Sequence, residues 1–321
     1  MAQLIENAKN YTGEELSDIF LRPSFTGESA ADLGIKVMYG IPQNLTLNFW
    51  ARQDNILKAY TDGWQGGSPS TKYQKTITMT KCKAEQGFSA SDYFGMVYEQ
   101  LVCDGNVNMQ DLSGTDIEKA EVALFRQSIA ENVRRVMWLG DTAGTVSTNT
   151  LFDGFLKKAS TYATTARVKM SAAPTKSNVK AALDAVLAKA SDALKALKAT
   201  GKLVFYVTSD VYNAYNEYLD GYTNTVAYRD LQNGRSTLNY QGIELVDMHI
   251  TGLLKTSQSI IMLTHKDNLV FAINTNDMPE AGVRMWYNPD EMQNRQRACF
   301  LAATEILDDS LVVYSSTALA S

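Results

Sequence analysis

TDIEKAEVALFRQSIAENVRRVMWL, residues 115–139, is the stretch that decides the fold. Thr115 and Glu118 stand at the S/T-x-x-E spacing of a capping box, in which each side chain satisfies a backbone N–H at a helix start. Ile117, Val122, Phe125, Ile129, Val133 and the pair Val136/Met137 recur at steps of three and four, which puts them on one helical face. Glu118, Lys119, Gln127, Glu131 and Arg134 fall mostly elsewhere, and Gly140 follows as the expected left-handed stop. At 1.5 Å per residue the helix is about 37 Å long, roughly two to three times the usual globular helix. A rod of that length with one apolar stripe calls for a broad sheet beneath it. No catalytic motif lies along it.

Upstream, residues 1–34 read as an arm. Thr12 and Glu15 form a second capping box and open a short helix, EELSDIFL, which Pro23 ends. Its few apolar residues must pack on something else, in its own subunit or a neighbour. Residues 35–86 read as β structure: IKVMYGI, Pro42, LTLNFW, and later TKYQKTITMTKCK, where Tyr73, Ile77 and Met79 share one face and Thr76, Thr78 and Thr80 the other. Between them Thr61–Ser70, TDGWQGGSPS, carries three glycines and a proline and marks a loop tip. The whole is a long hairpin whose return strand bears Lys72, Lys75, Lys81 and Lys83. Those lysines either guard an edge against stray strand pairing or belong to a hairpin that projects onto an adjacent subunit. Ser91–Val102 reads as a short connecting helix and Asp104-Gly105 as a turn.

Downstream, a loose DTAGTVSTNT and LFDGFLKKAS lead to NVKAALDAVLAKASDALKALKAT, read as one alanine-rich helix stopped by Gly201, with Leu183, Val186, Leu187, Ala190, Leu194 and Leu197 as its buried stripe. LVFYVT is an apolar run of the kind buried on both faces, and Ser209 is expected to cap a second helix, DVYNAYNEYL. Asn233-Gly234 signals a turn, and GIELVDMHI, SIIMLT and NLVFAI read as further strands. This mixed α/β lobe lacks the regular alternation of a doubly wound fold. VRMWYN, RQRACFLAATEIL and LVVYSS read as three antiparallel strands forming the sheet under the long helix.

The 321 residues suggest about two domains, and 45% hydrophobic with 20% charged residues allows a real core. A net charge of −5 argues against a protein that coats nucleic acid, though not against one that encloses it. Cys82, Cys103 and Cys299 are odd in number and widely spaced, which fits free thiols in a reducing cytoplasm. The N-terminus lacks a signal-peptide layout, and no run reaches the ~18 apolar residues of a membrane span.

The search for chemistry returns little. GWQGGS lacks the Lys-Ser/Thr of a phosphate loop. His249 and His265, the two histidines, have no metal ligand at motif spacing and no Gly-x-Ser-x-Gly nearby. Asp308-Asp309 reads as a polar turn, and Asp141 and Asp153 as single loop carboxylates. Tyr212, Tyr215, Tyr218 and Tyr222 recur at helical spacing and read as packing rather than base stacking. No catalytic, cofactor or metal residue emerges, and the chain is expected not to be an enzyme.

The order of the parts carries a resemblance. Arm, long hairpin, long helix, α/β lobe and closing strands, with MWLGDTAG, FDGFLKKAS, LVFYVTSDVYNAYNEYL, YQGIELVDMHI, HKDNLVFAIN and VRMWYNPDEMQNRQRACFLAATEILDDSLVVYSS, resemble the major capsid proteins of tailed bacteriophages across essentially the whole chain. The resemblance implies an α+β, HK97-like capsid fold with residues 1–35 as N-terminal arm, 36–86 as E-loop, 87–140 with 281–321 as peripheral domain around a spine helix, and 141–280 as axial domain. It implies self-assembly as hexamers and pentamers into an icosahedral virion shell, built in the bacterial host cytoplasm, that encloses double-stranded DNA without reading its sequence. Implied partners are a scaffolding protein (or a segment already trimmed), a portal, and head accessory or decoration proteins; no cofactor and no membrane are implied. Some relatives cross-link an E-loop lysine, and Lys58, Lys72 and Lys75 lie in the matching region, though no motif selects one. Trp64, Lys72 and Lys75 are the expected subunit-interface residues, Trp64 because exposed tryptophans often anchor interfaces. Two other readings stand beside this one: an encapsulin-type compartment sharing the fold, and a cytoplasmic α/β enzyme without a recognisable motif.

Overall fold

The computed structural model describes residues 30, 33–41, 43–50, 59–64, 72–89, 111–112, 116–145, 149–163, 166–221, 238–250, 258–274 and 282–318. Helices and strands are numbered within these. The two expected capping boxes, the Ser91–Val102 helix, the Asn233-Gly234 turn, Lys58, Tyr222 and Cys103 lie outside the described residues.

The long helix is present as α1, Asp116–Leu139, 24 residues. The second half of the expected stripe is seen: Phe125, Val136 and Met137 are buried, and Ile129 and Val133 pack against the core. Trp138, fully buried, joins them. Its ring meets Phe155 edge-on at 5.5 Å and Tyr206 at 5.5 Å, so the last turn of α1 ties three separate segments together. Tyr206 in turn donates its hydroxyl to the carbonyl of Leu33 at 2.8 Å, and burial pushes that phenol's pKa up.

Gly140 does end the helix, but not by a left-handed turn, since it is absent from the positive-φ glycines Gly34, Gly40, Gly63, Gly201 and Gly242. It is needed for space. Its N–H bonds Val136 O at 2.8 Å and its carbonyl accepts from Gly154 N at 2.9 Å. A Cβ on Gly140 would sit 2.6 Å from Val136 O, and one on Gly154 would sit 2.6 Å from Gly140 N and 2.7 Å from Trp138 O.

Two main sheets build the body. The first is ordered β1-β10-β12-β11 (Lys36–Tyr39, Leu269–Asn274, Gln293–Ile306, Gly282–Asn288), with β4 (Thr80–Phe88) also on β12. The 14-residue β12 is its axis: β4 runs antiparallel along one side, while β11 and β10 follow one another along the other. The second sheet is ordered β5-β13-β9-β6-β8-β7 (Arg167–Lys169, Val312–Ser316, Ile260–His265, Leu203–Val207, Ile243–Asp247, Leu238–Tyr240). The three closing strands therefore do not share one sheet. β11 and β12 do, but β13 crosses to pair antiparallel with β9 and parallel with β5, while β10 takes the position beside β12. Local alternation cannot distinguish these outcomes, because the pairing is between residues far apart in sequence.

LVFYV is buried throughout because both sides of β6 are covered. Val204 and Tyr206 enter the core with Trp138 and α2 (Phe155–Tyr162). Leu203, Phe205 and Val207 enter a second core with α3 (Val179–Lys189), α4 (Asp192–Ala196) and α5 (Ser209–Asp220). The alanine-rich segment is not one helix. Ala190 is extended (ψ 140), and Ser191 accepts from Leu194 N at 3.2 Å to start α4 afresh. Leu183, Val186 and Leu194, on either side of the break, are all buried. Gly201 stops the run with φ 68, as expected. α5 starts with Thr208 at the N-cap position, without a side-chain capping bond, and Ser209, the expected cap, donates instead to Asp247 at 3.0 Å. Tyr215, buried against Tyr240 and stacked on Tyr218, confirms the packing role of the tyrosine series.

Candidate functional site: the hairpin and its root

The third, smallest sheet is the hairpin of β2 (Asn44–Trp50) and β3 (Lys72–Thr78). Leu45 faces Ile77 and Phe49 faces Tyr73, and the Thr46 and Thr76 hydroxyls meet at 3.2 Å. The expected single return strand is broken at Met79, where β3 ends and β4 joins the body. Lys72 and Lys75 thus belong to the hairpin, and Lys81 and Lys83 to the outer edge of the first sheet.

At its root the hairpin is bound to the body twice. Ile77 and Met79 are buried with Ile41, Val270, Ala272, Leu301 and Ala303. Beside them Lys75 donates to Asp309 at 2.9 Å, lies 3.6 Å from Glu305, and sits 4.2 Å over the Tyr162 ring. Glu305 is only 5% exposed. It accepts from Lys158 at 2.6 Å and from the Tyr162 hydroxyl at 3.2 Å, so the buried carboxylate has two cations and a phenol around it. Burial works against the Lys75 charge, but the Asp309 hydrogen bond and the field of Glu305 outweigh it and raise the ammonium pKa. Burial and Glu305 also raise the Tyr162 phenol.

The far end is different in kind. Among the described residues there, Tyr60 and Trp64 are 90% and 93% exposed, and Tyr73 is exposed on β3. Tyr60 donates to Asp62 at 2.9 Å, and Gly63 takes φ 90, which favours glycine. The sequence expectations therefore separate. Trp64 stands free of the body and Lys72 is exposed on the hairpin, whereas Lys75 also contacts Glu305 and Asp309 of its own subunit. Glu305, Lys158 and Tyr162 were not legible as its partners; the one local signal was the acidic turn containing Asp309.

The polar side chains singled out from the sequence have local partners. No group of three or more His, Cys, Asp or Glu is placed to hold a metal. His249 pairs with Asp247 at 3.3 Å, and His265 accepts from the Asp267 N–H as a local cap. Asp141 and Asp153 both meet Lys157, and Asp153 accepts from Thr142 twice at 2.8 Å, which clamps the loop after α1. Asp308 accepts from Ser310 N at 2.9 Å, the polar turn expected. The groove between α1 and β4, about 510 Å³, is lined by Phe125, Ile129, Val133, Val136, Phe152 and Phe300, with Cys82, Ser128 and Glu85 also in its wall. No described helix is long and apolar enough to cross a membrane.

The sequence matches no family model and no curated protein. Solved structures do match. The capsid of an empty GTA particle aligns with 99% of this chain and 97% of its own at 12% identity, TM-score 0.57. The capsid of Myoviridae phage XM1 aligns over 98% of both chains at 12% identity, TM-score 0.56. The satellite phage P4 procapsid, a particle that includes the size determination (Sid) protein, aligns with 97% of this chain and 92% of its own at 9% identity, TM-score 0.53.

The chain has the HK97-like capsid fold. Agreement over nearly full length on both sides means that the expected α+β class holds for the whole architecture and not for one shared motif. At such low identity the conserved quantity is the geometry of sheets and helix, not any set of side chains. In an HK97-like chain with this distribution of residues, the candidate functional site is a surface: the hairpin's exposed aromatics, held out from a buried ionic root.

Proposed function

We propose that this protein is a major capsid protein whose copies assemble, as hexamers and pentamers, into an icosahedral shell around double-stranded DNA, with a structural and non-enzymatic role. The observation that carries this reading is the hairpin. It is fixed to its own body at Lys75, Ile77 and Met79, yet leaves Tyr60 and Trp64 in solvent. Large aromatics presented on a limb are suited to burial against another copy, and closed rings multiply modest contacts of this kind. The division into arm, E-loop, peripheral and axial domains, with Trp64 and Lys72 as interface residues, is part of the same proposal. So are virion localisation, assembly in the host cytoplasm, and scaffolding, portal and head accessory partners; the Sid protein in the P4 procapsid supports an accessory partner by analogy. A net charge of −5 suits a container that must not grip its contents.

Size-exclusion chromatography with negative-stain microscopy of the purified chain tests this. Rings or shells are expected, and deletion of Thr61–Ser70 should leave a folded subunit that forms none. A wild-type monomer or dimer would overturn the capsid reading, and normal particles from the deletion would overturn the role of the hairpin. Shells holding a protein cargo in place of DNA would point to a compartment instead.

A further inference from the structure

The long helix does not lie flush on the first sheet. Phe125, Ile129 and Val133 on α1 face Cys82 on β4 and Phe300 on β12 across the groove of about 510 Å³. That volume falls among small-molecule pockets, which run from about 300 to 1,000 Å³ and combine apolar, aromatic walls with a few placed polar groups.

One such polar group is on the sheet side. Directly opposed residues share a face and alternate residues take the other. Gln296 and Gln86, opposite one another on β12 and β4, therefore turn to the same side as Phe300 and Cys82. Gln86 is in the groove wall. Gln296 stands behind it, only 1% exposed, and its Nε2 donates to Gln86 Oε1 at 3.3 Å. The Gln296 Oε1 is buried and accepts from nothing among the described residues. A buried acceptor left unmet is costly and uncommon. One residue pair further along, the same face is closed: Leu112, fully buried, donates its N–H to Asn294 Oδ1 at 3.2 Å. The unmet oxygen thus lies where the apolar groove meets this closed end.

The groove offers no net charge. Lys83 and Glu85 pair with one another at 2.9 Å. On the helix side Asn132 donates to Ser128 O at 2.8 Å and accepts from Arg135 at 2.9 Å, so both ends of its amide are engaged. Burial holds Cys82 as the neutral thiol. A charged guest would lose its hydration here without gaining a counter-ion. A wholly apolar guest would fit the walls but leave the Gln296 oxygen unmet.

We propose that the groove between α1 and the first sheet is a binding site for a neutral, largely aromatic small molecule carrying one hydrogen-bond donor, which Gln296 Oε1 receives. Such a guest wedges the helix to its sheet and supplies the packing that the groove lacks. The site lies within one subunit and does not depend on the capsid reading.

N-phenyl-1-naphthylamine is a suitable probe, because it is neutral, aromatic, carries a single N–H, and brightens in apolar surroundings. Titrated into the purified full chain, it should bind with a Kd on the order of 10 μM and raise the melting temperature by about 2 °C near saturation. 1-Benzylnaphthalene, in which a methylene replaces the N–H, should compete about tenfold more weakly. Ser128→Trp, at an exposed position of α1 in the groove wall, should fold normally and weaken the probe by about tenfold or more. Gln296→Leu should bring the two molecules to within about twofold of each other. Absence of brightening, equal affinity of the wild-type chain for the two molecules, or full binding by Ser128→Trp would overturn the proposal. The comparison on the wild-type chain needs no variant and decides the matter even if Gln296→Leu fails to fold. Absence of binding would leave the capsid reading standing, and a wild-type chain that forms no shells would leave this site standing.

Discussion

Lys75 and Asp309 are 234 residues apart in the chain and 2.9 Å apart in the structure. The contact joins the hairpin to the turn before the last strand, and with Glu305 it sets the point from which the hairpin projects. A limb serves assembly only if its base is rigid, because each degree of freedom left at the base is entropy lost on docking. On the proposed function, the ionic root would stiffen that base.

Lys75→Met should loosen the root. The Lys75 side chain is 21% exposed, so screening is incomplete and a loss of about 1–2 kcal/mol is expected. Proteolysis within residues 59–64 should quicken. The raised pKa fixes the pH dependence: the ionic contribution is fully present below the unfolded value of 10.5 and is lost as pH rises through the higher folded value. Wild-type and Lys75→Met melting temperatures should therefore differ at pH 7 and converge in strong alkali. An unchanging difference would remove the ionic explanation.

Glu305→Ala should be the more damaging change, because it strips the buried partner from Lys158 and weakens Lys75 together. A loss of about 3 kcal/mol is expected from a one-sided deletion in a buried pair, read by denaturant midpoint. In a double-mutant cycle Glu305→Ala with Lys158→Met should cost less than the two single changes added; strict additivity would mean the two do not interact.

Gly140→Ala and Gly154→Ala should each cost about 3 kcal/mol or more, since the added methyl meets backbone atoms that cannot step aside. Gly201→Ala, whose Cβ meets nothing within 4 Å, should cost about 1 kcal/mol from its φ of 68 alone. Equal melting temperatures for the Gly140 and Gly201 variants would contradict the packing account.

Trp64→Ala should separate assembly from folding. At 93% exposure the side chain gives its own subunit little, so stability should move by no more than about 0.5 kcal/mol. Shell yield should fall clearly. A destabilised subunit, or unaltered shells, would show that the tip does something else.

Burial pushes the Cys82 thiol pKa from 9.0 up to about 11, with a backbone hydrogen bond from Ala302 opposing the shift only in part. Native Cys82 should resist alkylation at pH 8 and react once the chain is unfolded, as peptide mass spectrometry would reveal. Because the folded form keeps its proton longer, stability should decline with pH between about 9 and about 11.

Some of this was written in local order. The stripe from Phe125 to Met137 repeats at helical spacing, so the sequence alone dictated a long one-sided helix. LVFYV had to be a strand covered on both faces, and Asp308-Asp309 a turn. None of these depends on what lies far away. The order of such pieces was enough for the fold resemblance. Of the candidate site, the exposed positions Trp64 and Lys72 were legible from the hairpin pattern, whereas the partners of Lys75 were not.

What the sequence could not determine was pairing at a distance. Whether β13 sits beside β12 or β9, whether Lys75 faces solvent or Asp309, and whether Gly140 serves a turn or a close approach are all decided by partners more than ten residues away. Alternation specifies which side of a strand is apolar but not which strand lies next to it. Only the packed structure makes that choice, because only there do the buried area and the buried charges of both partners count at once.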